Sequence, residues 1–255
     1  MTGFSILCKH ELYAVWRTWH RYVLPTVLCL FGAMSVVLSR FAPDIVGSMM
    51  GEAVRKAMPE PNWHEAYNQW TKNLAQTVMF VVIFTGAGAT SSLVSSGRAQ
   101  LLAVRPVSRA SQPLAALVAR IAVLASASLA GMAVVWAATF GFYRKAPLAP
   151  LAAATATWFA CACFFLAVTV AMSSLTGSTL AAAGIGVGSL LLTMIGSAFE
   201  PIAERSPAGL LTLPSSFAEG KAVGAAAIAI PFATSLVLMI VIVVLGAKSF
   251  ARREL

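Results

Sequence analysis

Six stretches of this 255-residue chain are long and apolar enough to cross a lipid bilayer, and no water-soluble fold can absorb them all. They run over residues 22–41, 74–94, 114–142, 148–173, 178–199 and 222–247. A spanning helix needs about 20 mainly apolar residues, because each residue rises about 1.5 Å through a hydrocarbon layer about 30 Å thick. Inside that layer every backbone N–H and C=O must find its partner within the segment. The predicted fold class is therefore an all-α membrane protein with six transmembrane helices in one domain, 1–255. Composition agrees: 59% of the residues are hydrophobic and 11% charged, too few polar groups to clothe a soluble surface. The first stretch has a rival reading as a cleavable signal peptide. The polar helix before it and the lack of a clear small-residue cleavage pattern favour a retained span.

The formal charge of +9 would suggest nucleic acid in a soluble protein. Here the basic residues flank apolar runs, where they act as topology signals, so the expected contact is the lipid bilayer and not nucleic acid. With the N-terminus in the cytoplasm, Lys9, Arg17, Arg21, Arg98, Arg105, Arg109, Arg120, Lys248, Arg252 and Arg253 fall on the inner side, opposed only by Glu11 and Glu254. The outer side carries eight basic residues accompanied by seven acids. The short, dense cluster from Arg98 to Arg109 decides the orientation. The expectation is a multi-pass protein of the cell (plasma or inner) membrane with both termini cytoplasmic. Cys8, Cys29, Cys161 and Cys163 lie in or beside apolar segments and read as packing residues, not as a disulfide framework.

Residues 1–21 form a predicted amphipathic helix at the membrane interface. Phe4, Leu7, Cys8, Leu12, Val15, Trp16 and Trp19 recur at helical spacing, away from Lys9, Arg17, His20 and Arg21. Two readings stand, a plain membrane anchor or a docking element for a cytoplasmic partner. In the outer segment 43–72, Trp63, Tyr67 and Trp70 share a helix face and suggest an interfacial helix in the aromatic belt. The segment 200–221, broken by Pro201, Pro207 and Pro214, suggests a hairpin that dips into the membrane under protein cover. Ala181, Gly184 and Gly188 make a small-residue face for close helix packing, and Pro231 marks a kink in the last span.

Catalytic chemistry is missing where a membrane enzyme would need it. His10, His20 and His64 lie in tails or loops, and no predicted span has an acid near its centre. His64-Glu65 begins like a zinc-protease motif, but Asn68 stands where the second histidine belongs. Gly220-Lys221 is like the end of a phosphate-binding loop, yet Ser215 replaces its first glycine and Ala222 its hydroxyl. Arg120 is the only charge well inside a predicted span, close enough to the cytoplasmic end to snorkel. No catalytic residue, cofactor or metal site is expected on this chain, and a chain without coupling groups must draw its energy from elsewhere.

The feature left over is the basic, amphipathic stretch from Ser95 to Arg109, with Gly97 at its start and Pro106 near its end. As a plain loop it is an ordinary topology signal; as a compact helix it is a surface on which a motor could push. Gly97, Leu101-Leu102 and Arg105-Pro106-Val107-Ser108-Arg109 resemble the loop before the third span in permease subunits of ATP-binding-cassette transporters of the type-2, exporter-like family. Lys9-His10-Glu11-Leu12 with Arg17-Thr18 resembles the opening helix of that family, and Phe250–Leu255 its C-terminal finish. At the positions before Gly97, where the family commonly has glutamates, this chain has Leu93, Val94, Ser95 and Ser96. The resemblance implies a half-transporter that is no enzyme by itself. It would pair with a second permease subunit, identical or paralogous, and with cytoplasmic ATPase subunits that hold ATP and Mg. Gly97, Arg98, Leu101, Leu102, Arg105, Pro106 and Arg109 would form the coupling helix, with Lys9, Glu11 and Arg17 on a docking helix beside it. The alternative is a membrane anchor or assembly scaffold without transport.

Overall fold

The computed structural model describes residues 3–18, 20–57, 61–95, 97 and 108–252. Helices follow one another in the order α1 (Gly3–Trp16), α2 (His20–Met50), α3 (Glu52–Ala57), α4 (Trp63–Asn73), α5 (Met79–Ala87) and α6 (Ser91–Ser95). After the segment around residue 100 come α7 (Ser111–Tyr143), α8 (Leu148–Thr176), α9 (Thr179–Ser197), α10 (Glu200–Arg205), α11 (Gly209–Ala218) and α12 (Ala225–Arg252). Six helical segments are long and apolar enough to cross a membrane, the second being the run Trp63–Leu93. Alternate crossings leave α1 and residue 97 on one face of the bundle and α3, α10 and α11 on the other.

The first span overshoots its predicted end. At about 1.5 Å per residue the 31 residues of α2 reach about 46 Å, well beyond the hydrocarbon layer. Pro25 and Pro43 lie inside it. Gly51, with φ +95°, reverses the chain, a conformation that costs glycine little. The short α3 then folds back so that Arg55 pairs with Asp44 at 2.8 Å. Both side chains are about half exposed, so this ion pair adds little stability.

α8 is the hub, packed by α5, α7, α9, α11 and α12. Its ends are set locally: Pro147 precedes it in extended conformation, and Gly177 closes it at φ +66°. Ser178 then caps α9, its Oγ accepting from Ala181 N at 3.3 Å. Much of α12 faces outward, with Leu236, Val237, Ile240 and Leu245 exposed, as lipid contact requires.

The aromatic residues before the second span belong to the core and not to an interfacial belt. Tyr67 and Trp70 are fully buried. Trp70 Nε1 donates to Thr155 Oγ1 at 3.2 Å, and Tyr67 Oη donates to Pro147 O at 3.2 Å. The Trp70 ring fills a notch between α2 and α7 that exists because Gly131 has no side chain. A Cβ there would meet Trp70 Cη2 at 3.0 Å and Leu28 Cβ at 3.1 Å. One residue-face periodicity fits both a belt and a core; the glycine notch decides for the core. Between α4 and α5 the helix widens into a π turn, Leu74–Val78. There Leu74 O accepts from both Met79 N and Trp158 Nε1, the latter at 3.0 Å.

Two further expectations change. Gly184 has open space beside it and Gly188 likewise, so within this chain they pack against nothing. The close approach is made by Gly186 on the other side of α9, against Thr169 and Ile83. The segment 200–221 folds as two short helices. α10 has no buried residue, whereas α11 buries Gly209, Leu210, Leu213, Pro214 and Ala218 against α8 and α4.

Candidate functional site

Arg98, Leu101, Leu102, Arg105 and Pro106 lie outside the described residues, so the site is built from what holds the two ends of that segment. Gly97 adopts φ +70°, and a Cβ there would meet nothing within 4 Å. The left-handed turn, not crowding, is what calls for glycine at that position. At the other end Arg109 is exposed, and its carbonyl accepts from Gln112 N at 3.3 Å as α7 begins. Ser111 adds a bond from its Oγ to Ser108 O at 2.5 Å.

The entry to the segment is pinned by hydroxyls. The second span breaks at Gly88 and restarts as the single turn α6, which exposes backbone donors that a helix interior would satisfy. Ser173 Oγ, from the buried end of α8, accepts from Thr90 N at 3.3 Å and Ser91 N at 3.0 Å. Thr90 Oγ1 meets Ser174 Oγ at 3.2 Å, and Ser91 Oγ meets Thr179 Oγ1 at 2.7 Å. The chain just before Gly97 is thereby tied to the turn between α8 and α9. Sequence reading missed this cluster; the signal was two hydroxyl-rich runs, Thr90–Ser92 and Ser173–Thr179, each beside a glycine on the same face.

On the carbonyl side of the same break stands Arg120. Because Ala89 N turns to Gly86 O, Thr85 O is left free to accept Arg120 Nε at 3.1 Å. Arg120 Nη1 donates to Ala116 O at 3.1 Å. The guanidinium therefore points into the helix junction instead of snorkelling to the surface. α1 packs along α7 with Leu7, Glu11 and Val15 buried, and the Glu11 carboxylate acts electrostatically on Arg120. Burial and then Glu11 push the neighbouring Cys8 thiol up from its ordinary value. Of the three docking residues read from the sequence, Lys9 and Arg17 are exposed, while Glu11 faces the protein. The three residues are thus not one surface: Lys9 and Arg17 can meet a partner, and Glu11 is buried against the bundle.

Replacing Ser173 with alanine would leave two buried N–H donors without their acceptor, at a cost of about 1–3 kcal/mol. Hydrogen exchange of the peptide covering residues 86–95 is expected to quicken about tenfold or more in S173A. Unchanged exchange there would mean that the hydroxyl does not hold the segment.

The model of a family described as a protein of unknown function, DUF2705, matches residues 27–255. The chain belongs to this family. No curated protein matches the sequence. The DUF2705 match begins within α2, so it takes in the Gly88 break, the hydroxyl cluster and Arg120 while α1 lies before it. Among the described residues of this DUF2705 chain, no three His, Cys, Asp or Glu side chains are grouped to hold a metal ion.

Proposed function

We propose that the chain is the transmembrane subunit of an ATP-driven export transporter, working as a dimer of permease subunits with separate cytoplasmic ATPase subunits. In this reading ATP and Mg bind to the partner, and this chain catalyses nothing itself. It sits in the cell membrane with both termini, and the 97–109 segment, in the cytoplasm. The observation that carries the reading is the anchoring of that segment. Its entry is hydrogen-bonded to α8 and α9, its exit runs directly into α7, and Arg120 and Glu11 join α7 to the Gly88 break and to α1. A push on such a segment displaces several spans together, which is what a two-state membrane pathway driven from outside needs. The resemblance of Gly97–Arg109 to the coupling loop of type-2 permeases supports the same reading.

The direct test is copurification of the full chain from its native membrane in mild detergent, with nucleotide-binding subunits identified by mass spectrometry. Recovery of no ATPase would overturn the proposal. A finer test reverses the charge at both ends of the basic motif, R105E with R109E. ATP hydrolysis by the assembled complex should persist while transport falls at least tenfold, with thermal stability unchanged, since Arg109 is exposed. Undiminished transport would remove the segment from the mechanism.

A further inference from the structure

The second span carries charge that the sequence alone assigned to a loop. Glu65 and Lys72 both belong to the helical segment Trp63–Leu93. Together with Asn68 and Gln69 they line a cleft of about 460 Å³ between α4 and α2, whose opposite wall includes Leu38, Ser39 and Ile45. Beneath it the polar contacts continue: Gln69 Nε2 donates to Asn73 Oδ1 at 3.5 Å, and Asn73 Nδ2 donates to Ser35 Oγ at 2.8 Å. Tyr67 Oη donates to Pro147 O, the residue before α8 begins. Lys72 lies five residues further along, about 7.5 Å nearer the apolar part of the second span at 1.5 Å per residue. Charged groups beside an apolar spanning stretch are costly and mark a use.

Glu65 and Lys72 form no ion pair with each other or with any other described residue at 4 Å. At the mouth, Glu219 is matched by Lys221 at 2.6 Å, whose hydrogen bond holds its carboxyl below the usual carboxylate range, with Asn68 and Lys72 adding to the effect. One acid and one base therefore remain in the cleft, about 10 Å apart along the helix axis, a gap the flexible Lys72 stem can shorten. Their order is informative. The acid lies toward the membrane surface and the base lies deeper, as the ammonium and phosphate of a bilayer phospholipid do. The α2 wall adds exposed apolar side chains, Leu38 and Ile45, along which acyl chains can lie. No aromatic side chain lines the cleft, so nothing there suits a quaternary ammonium, whereas a primary ammonium can donate to Glu65.

We propose that the cleft between α2 and α4 binds the headgroup of a phosphatidylethanolamine-type lipid, with its phosphate on Lys72 and the Asn68 and Gln69 amides and its ammonium on Glu65. The inference stands apart from the ATP-driven reading, because binding needs no partner subunit. Failure to recover an ATPase would leave it intact.

Native mass spectrometry of the full chain in detergent tests it. Phosphatidylethanolamine, phosphatidylglycerol and phosphatidylcholine are supplied singly at equal concentration. Wild type should retain phosphatidylethanolamine about tenfold better than the other two. K72Q and E65Q should each lose that preference at unchanged helical content and elution, and the swap E65K/K72E should not restore it, because the charge order is reversed. Equal retention of the three lipids, or adducts indifferent to either variant, would overturn the proposal. So would loss of all three lipids in K72Q with no effect of E65Q, which describes a simple phosphate contact. Free phosphoethanolamine displacing the lipid at equal concentration would overturn the lipid as the occupant.

Discussion

Gly186→Leu is expected to break the packing of the fifth span, whereas Gly184→Leu, two residues away, is expected to leave it intact. A Cβ at Gly186 would lie 2.5 Å from Thr169 Cγ2 and 2.8 Å from Ile83 Cγ2, both on helices fixed in the core. Thr169 cannot swing aside cheaply, because its Oγ1 is bonded to the carbonyls of Phe165 and Leu166. Overpacking of this kind costs about 1–3 kcal/mol or more, and leucine adds three carbons beyond the first contact. The melting temperature in detergent should fall by roughly 5–10 °C for G186L and by less than about 2 °C for G184L. Equal sensitivity at the two positions would mean that α9 is rotated from the orientation described here.

The same pair shows what the sequence could and could not tell. Counting spans succeeds because apolar length is a local property, and each of the six predicted stretches overlaps one of the six helical segments that can cross a membrane. Choosing the packed face fails because Gly184 and Gly188 share the four-residue glycine step that signals close approach, while Gly186 has only Ala182 at that step. Only the position of Thr169 on another helix distinguishes them. Trp63, Tyr67 and Trp70 mark a helix face in the sequence, yet their destination depends on the notch at Gly131. The helix of the first span runs on past residue 41 for a different reason. Asp44 and the residues after it are too polar for lipid, but nothing forbids a helix from continuing into water. At the candidate site, Gly97 was legible because a left-handed turn leaves a glycine in the sequence. The hydroxyl cluster was not, because serine and threonine in spans more often bond back to their own helix, as Ser128 and Ser235 do here.

Glu11→Leu should be the most damaging change in the N-terminal helix, and adding Arg120→Leu should undo much of the damage. Glu11 is 7% exposed and acts electrostatically on the Arg120 guanidinium, which donates to the carbonyls of Thr85 and Ala116. Removing the carboxylate takes away an opposing charge and leaves Arg120 less compensated away from water, which is destabilising. Replacing both with apolar side chains removes that charge and is often close to neutral. What remains in the double variant is the loss at Thr85 O, which needs a partner at the Gly88 break and would cost about 1–3 kcal/mol. The expected order of stability is therefore wild type, then E11L/R120L, then E11L. Limited trypsin digestion reads the same order locally: Lys9 on α1 and Arg17 just after it are exposed, and cleavage after Arg17 should release the helix fastest in E11L. Were E11L to melt with wild type and keep α1 equally protected, the carboxylate would have no part in holding α1 to the bundle. The distinction bears on function as well. Lys9 and Arg17 can still meet a partner while Glu11 stays buried against the bundle near Arg120, whose Nε donates to Thr85 O at the break that leads to Gly97.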